Sequence, residues 1–172
     1  VVESLKGFED VETLMTHEKG RDVPLSERTN RANSWKADAF VSIHANAAGT
    51  GWNDAKGIET FTHDNASRAA VALAVSIQRN IIAATGLTDR GVKKEDFHVL
   101  RETTMPAVLV ECGFMTNQQD TVNLKSDAYR RKCADAIVKS LMDTYGLKKK
   151  EGPVKMPTKD QVPVIQKRVG LS

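Results

Sequence analysis

The chain has 172 residues, 40% of them hydrophobic and 27% charged, enough for one globular domain with a sizeable core. A net charge of +3 is too small to argue for nucleic acid, though it suits contact with an anionic polymer or surface. Nowhere does an apolar run approach the ~18 residues of a membrane span, and no signal-peptide pattern stands at the start.

The chain opens inside an amphipathic pattern without an initiator Met, so its true beginning is expected upstream of Val1. Residues 1–6 read as the last turns of a helix closed by Gly7, and 11–16 as a short strand. Residues 17–24 form a charged loop. Ser26 is a good N-cap, predicting a helix over 27–37 with Ala32 and Trp35 facing inward. Residues 39–44 are an apolar, β-favouring run, followed by a loop of small residues over 47–56 that carries Trp52, and then a strand over 57–62.

Residues 67–85 predict a long helix whose buried stripe is Leu73, Ile77 and Ile81 with Ala70, Ala74 and Ala84, ended by Gly86. Residues 89–96 read as a charged loop and 97–101 as a short strand. A second focal strand follows Pro106 over 107–110. A short helix over 117–124 and a long one capped by Ser126 complete the domain. The long helix carries Tyr129, Cys133, Ile137, Leu141 and Tyr145 at helical spacing and stops at Gly146.

Strands alternating with helices predict an α/β fold, a single twisted, mostly parallel sheet covered on both faces. The strands at 39–44 and 57–62 lack a crossover helix between them, so that pair is either antiparallel or distant in the sheet. After Leu147 the composition changes. Residues 148–172 are expected to be a linker and the start of a C-terminal wall-binding module, with Val162, Ile165 and Val169 resuming helical spacing.

Two strand ends carry the chemistry. The first closes on His44 and Asn46, the second on Glu111. A histidine at the C-terminal end of a buried strand is either a core residue bonded to a backbone carbonyl or a ligand in the crevice where α/β sheets bind. A glutamate after four apolar residues is either a partner in an ion pair, with Arg28 or Arg101, or a general base. His17 and His98 read as exposed, and His63 as lying at the edge opposite the site if its strand is antiparallel. Cys112 and Cys133 give no disulfide framework and read as reduced, half-buried thiols. There is no HExxH or CxxC spacing.

Taken together, several ordered blocks resemble the zinc-dependent N-acetylmuramoyl-L-alanine amidases, the amidase-3 family. They are Pro24-Leu25-Ser26-Glu27-Arg28-Thr29-Asn30-Arg31-Ala32-Asn33, Phe40-Val41-Ser42-Ile43-His44-Ala45-Asn46, Gly57-Ile58-Glu59-Thr60-Phe61, His98-Val99-Leu100-Arg101 and Met105-Pro106-Ala107-Val108-Leu109-Val110-Glu111-Cys112-Gly113-Phe114-Met115-Thr116-Asn117. The resemblance covers residues 1–147 in unbroken order.

It implies one Zn2+ per catalytic domain, bound by two histidines and a glutamate, and hydrolysis of the amide between N-acetylmuramic acid and L-alanine of the peptidoglycan stem peptide. His44 matches one metal ligand and Glu111 the catalytic glutamate. Arg28, Asn46 and Arg101 fall in the matched blocks as substrate-binding candidates. The first strand, the start of the first helix and two further zinc ligands have no counterpart here and are expected upstream. The implied partner is peptidoglycan, with no nucleic acid and no membrane span. The expected protein is a monomer acting outside the cell or in the bacterial wall, as a secreted autolysin or a phage-type endolysin. The alternatives are a non-catalytic wall-binding or regulatory protein on the same fold, and another zinc peptidase acting on stem peptides.

Overall fold

A computed structural model describes residues 1–17 and 19–151. The elements run in the order α1 (Val2–Leu5), α2 (Leu25–Trp35), β1 (Phe40–Asn46), β2 (Ile58–Thr62), α3 (Arg68–Thr85), β3 (Asp89–Lys94), α4 (His98–Arg101), β4 (Ala107–Phe114), α5 (Gln118–Lys125) and α6 (Asp127–Tyr145). The four strands form one sheet in the order β1-β4-β2-β3. β1 pairs with β4 and β2 with β3 in parallel, while β2 and β4 are antiparallel. The expected mostly parallel α/β sheet is thus present. The strands without a crossover helix are indeed not neighbours: β4, the last strand among the described residues, lies between them.

Alternation along the strands sorts the core into two layers. Ile58, Val108, Val110 and Cys112 face α3 and α6, packing with Leu73, Ile77, Ile81, Ile137 and Leu141. Phe40, Phe61, Ala107 and Leu109 face the other side and pack with Ala32 of α2 and Val99 and Leu100 of α4. The long helices have the expected ends. Ser67 and Ser126 accept from the backbone N–H of Ala70 and Tyr129, and Gly86 and Gly146 sit at the C-caps with left-handed φ of +68° and +65°.

Four local expectations fail for identifiable reasons. Residues 11–16 are irregular rather than a strand; they pair with no neighbouring strand and instead line a cleft. The charged stretch 89–94 is strand β3, whose Arg90, Lys93 and Lys94 are the charges that blunt a sheet edge. Residues 98–101 are a helical turn, not a strand: Val99 and Leu100, adjacent in sequence, are both buried, which strand alternation forbids on one face. Finally, α2 starts at Leu25 with Pro24 at the N-cap, and Trp35 at its end is 41% exposed rather than inward-facing.

The expected linker begins against the domain. Glu9 N–H donates to Lys148 O (2.9 Å), Lys150 N–H donates to Gly7 O (2.9 Å), and Phe8 bridges Lys149. The C-terminal stretch expected to start a new module lies, from residue 152 on, outside the described residues. Among those described, no helix is long and apolar enough to cross a membrane.

One buried carboxylate ties the loops at the C-terminal end of β4. Asp120, 2% exposed, accepts from Gly57 N–H (2.8 Å) and Phe114 N–H (3.0 Å) through the same oxygen. Removing it orphans two backbone donors, each at a cost of ~1–3 kcal/mol. Asp120→Ala is therefore expected to lower unfolding free energy by roughly 2–4 kcal/mol; a urea midpoint close to the parent's would refute the role assigned to Asp120.

Candidate functional site

Parallel pairing of β1 with β4 sets His44 directly beside Glu111 in register. Antiparallel pairing of β2 with β4 sets Glu59 on Glu111's other side. Alternation from Phe40, Ala107 and Phe61 turns all three side chains to the same face of the sheet, at the C-terminal ends of β1 and β4. The result is a row, His44–Glu111–Glu59, across three strands. Glu59 is the member that sequence reading missed. It stood in a matched block, but neither its neighbours nor its spacing indicated that β2 would run antiparallel beside β4.

The three groups have different electrostatic settings. Glu111 is 8% exposed, and its Oε2 is buried with no hydrogen-bond partner among the described residues. Burial, followed by the nearby negative charge of Glu59, pushes its pKa up to about 7. Glu59 is 3% exposed; burial alone would raise its pKa, but hydrogen bonds from Lys93 (2.5 Å) and Arg90 (2.7 Å) outweigh this and hold it below the ordinary carboxylate value. His44 is exposed at the end of its strand; partial desolvation and then the positive charge of Arg28 push its pKa below the usual imidazole value. Its Nε2 lies 2.8 Å from Ser42 Oγ.

The ion-pair reading of Glu111 fails. Arg101 Nη1 is 2.8 Å from Asp96 Oδ1 and its Nε 2.8 Å from Glu102 Oε1, while Arg28 Nε donates to Val23 O at 2.9 Å. Neither reaches Glu111. Among the described residues, then, a buried carboxyl group at the mouth of the sheet has one oxygen without a partner, which fits a group that exchanges protons.

The other sequence candidates are placed as follows. Arg28 and His44 stand in the wall of a cleft of about 1350 Å³ that runs along β1 and is also lined by residues 10–17, Trp35 and Tyr145. Asn46 donates its amide to Glu59 Oε1 (2.6 Å) and accepts from Ala47 N–H (2.7 Å), so one amide hydrogen remains. His17 is exposed, as expected. His63 pairs with Asp96 (3.2 Å) at the sheet end away from Glu111, and His98 is half-buried with an unbonded Nε2 rather than exposed. Cys112 and Cys133 are free and buried. Their mutual hydrogen bond, then burial, pushes the Cys112 thiol up, which makes it a poor nucleophile.

The loop after β1 is tied to the turn after β4. Ala48 N–H donates to Thr116 Oγ1 (3.0 Å), Asn53 N–H to Thr116 O (2.9 Å) and Met115 N–H to Asn46 O (2.7 Å). Trp52 rides on this loop, 63% exposed.

Zinc is the metal that the resemblance implies. His44 is a suitable nitrogen donor, but among the described residues no group of three or more His, Cys, Asp or Glu is placed to hold a metal ion. By themselves these residues do not fit a tetrahedral zinc, which takes at least three protein ligands.

A family model described as N-acetylmuramoyl-L-alanine amidase, amidase-3, matches residues 2–143. The N-acetylmuramoyl-L-alanine amidase CwlM of Bacillus licheniformis is 36% identical over 145 residues, covering 84% of this chain and 55% of that protein. The sporulation-specific N-acetylmuramoyl-L-alanine amidase of Bacillus subtilis strain 168 is 34% identical over 83% of this chain and 54% of its own length. The endolysin of Bacillus phage SPP1 is 33% identical over 83% of this chain and 53% of its own. The chain spans about half the length of these relatives. Among solved structures, the N-acetylmuramoyl-L-alanine amidase from Clostridium difficile 630 superposes with a TM-score of 0.81 at 32% identity, covering 84% of this chain and 77% of that one.

The raised pKa of Glu111 links stability to pH with a definite sign. The unfolded carboxyl titrates near 4.5 and the folded one at about 7, so the fold retains a proton that the unfolded chain releases between those values. The associated stability is complete below the lower value and lost as pH rises through the upper one. Glu111→Gln is expected to raise the unfolding free energy at pH 8 by on the order of 2 kcal/mol and to change it little near pH 4.5. Denaturant titrations at the two pH values check this; an equal effect at both would show that the carboxyl is not perturbed.

Proposed function

This chain belongs to the N-acetylmuramoyl-L-alanine amidase family, and we propose that it hydrolyses the amide joining N-acetylmuramic acid to L-alanine in peptidoglycan. The observation that carries the reading is Glu111: a buried carboxyl with one oxygen that has no partner among the described residues and a pKa of about 7, side by side with a histidine at the open end of the sheet.

In this proposal Glu111 is the general base and then the general acid. Its carboxylate removes a proton from the attacking water, and the resulting carboxylic acid passes that proton to the leaving alanine nitrogen. A pKa near the working pH suits both halves of that exchange. Glu59, held ionised by Arg90 and Lys93, keeps a fixed charge beside it. Arg28, on the cleft wall near His44, is the best placed of the substrate-contact candidates for a stem-peptide carboxylate. Asn46 offers its remaining amide hydrogen, and Arg101, already paired with Asp96 and Glu102, is the least available.

His44 is proposed as a ligand of the zinc on which the family generally depends, the other donors coming from outside the described residues. Bound there, zinc would supply Lewis-acid polarisation of an amide carbonyl. We also assign action at the bacterial wall, and for residues 148–172 a linker and the start of a wall-binding module.

One observation favours a second reading, a non-catalytic wall-binding protein on the same fold: the described residues lack a three-donor metal set. A soluble muropeptide separates the readings. An amidase frees the lactyl carboxyl of muramic acid and the α-amine of alanine; a stem-peptide peptidase frees other termini; a binding protein frees none. Glu111→Gln is expected to lower kcat on the order of 10²-fold or more with KM little changed. Near-parental turnover by that variant would remove Glu111 from the chemistry.

Arg28→Ala is expected to raise KM several-fold at unchanged kcat, and Arg101→Ala to leave both near the parent's. The opposite ranking in steady-state kinetics would reassign the substrate contact.

A further inference from the structure

We propose that Glu59 is a positioning residue for the hydrolytic site, the centre of a polar strap that crosses β4 and fixes the end of β1, with His44, against Glu111. The inference rests on the amidase reading for its kinetic consequence, but the strap itself is read from geometry alone.

The strap runs through three strands. From β3, Arg90 Nε (2.7 Å) and Lys93 Nζ (2.5 Å) meet Glu59 Oε2 on β2. From β1, Asn46 Nδ2 meets Glu59 Oε1 at 2.6 Å. β1 and β2 are not neighbours, because β4 lies between them. The Asn46–Glu59 bond therefore passes over β4, on the face that carries Glu111 and His44.

Local backbone makes the arrangement possible. Arg90 and Lys93 are three apart and would face opposite sides of a regular strand. The β2–β3 register shifts between Ile58 and Thr60, and opposite it stands Gly91 with a left-handed φ of +81°. This bulge turns both cations towards Glu59. At the other end of the strap, the β1–β4 register shifts between His44 and Asn46: β4 carries the extra residue, so Asn46, where the strap attaches, pairs with Phe114. Arg90 also lies over the Phe114 ring, 4.8 Å from its centroid, which anchors it to the end of β4.

A carboxylate 3% exposed, with two cations and an amide on its two oxygens, is held in one position. Asn46 is held in turn, since its Oδ1 accepts from Ala47 N–H and its backbone O from Met115 N–H. His44 is two residues away on the same strand and face. Displacement of catalytic groups by about 1 Å can cost on the order of 10²-fold in rate, so a device that fixes the β1 end relative to β4 is expected to act on kcat.

The test uses Glu59→Gln, Asn46→Ala, Asn46→Asp and the double variant Glu59→Gln/Asn46→Asp in the full-length protein. Measurements are kcat and KM on a soluble muropeptide, together with backbone amide NMR shifts at His44 and Glu111. Glu59→Gln and Asn46→Ala are expected to lower kcat by roughly 10- to 100-fold and to move both shifts, with KM within about twofold for Glu59→Gln. Asn46→Asp sets two carboxylates face to face and is expected to be the most damaged single variant. The double variant restores a donor–acceptor pair with its direction reversed and should regain at least about tenfold in kcat over Asn46→Asp.

A merely structural ion pair would not give that rescue. Parental kcat in folded Asn46→Ala, or a double variant no better than Asn46→Asp, overturns the proposal. If Glu59→Gln does not fold, Asn46→Ala decides, because it leaves the Glu59–Arg90–Lys93 contacts intact. If the parent protein itself does not cut the muropeptide, the amidase reading fails, and the strap is then judged by the NMR shifts alone: movement at His44 and Glu111 supports it, and unmoved shifts overturn it.

Discussion

A carboxyl group with one oxygen sealed from water and no partner for it costs free energy in any fold, and the cost grows when a second carboxylate is placed alongside. Glu111 stands in that position, between His44 on one strand and Glu59 on the other. The surrounding architecture is arranged to sustain it. Two apolar layers hold β4 rigidly, the fixed cations Arg90 and Lys93 neutralise Glu59 rather than Glu111, and Arg28 and Arg101 have partners elsewhere. Moving one of those cations onto Glu111 would relieve the cost and drop its pKa towards the ordinary carboxylate range, where it would be a poor proton donor at neutral pH.

Much of this was legible in the amino-acid order. The run ending in Glu111 is apolar enough to be a buried strand, and α3 and α6 announce themselves by a 3.6-residue stripe with serine at one end and glycine at the other. The run ending in His44 is a strand too, but only Phe40 in it is buried and Ile43 is 47% exposed, because β1 lies at the edge of the sheet. What stayed hidden was set by tertiary pairing. β3 carries Arg90, Lys93 and Lys94 and has no apolar alternation, so it reads as a loop; it becomes a strand because β2 offers it a ladder. The short α4 has too few residues for either period to show; Phe97 at its N-cap packs edge-on against Phe61, with ring centroids 5.3 Å apart.

Glu59 illustrates the same limit at the site. A single glutamate in the run Ile58-Glu59-Thr60-Phe61 looks like the solvated face of an edge strand. Only when β4 inserts between β1 and β2 is that face covered and the side chain brought against Asn46. Of the two readings open for Glu111, an ion pair was the simplest electrostatic solution for an apolar strand end. The fold instead pairs the neighbouring carboxylate and leaves Glu111 without one.

The strand order β1-β4-β2-β3 has a consequence for how the protein is made. β4, the last strand among the described residues, takes a central place, so β1 and β2 are synthesised with no ladder between them and cannot zip together in sequence. Pairing of β1 with β4 closes a long stretch of chain, a slow, non-local event compared with formation of the local β2–α3–β3 unit. His44, Glu59 and Glu111 therefore meet only at the end of folding. A chain synthesised only as far as β3 carries His44 and Glu59 without the strand that sets them beside Glu111, and the row forms only once β4 is in place.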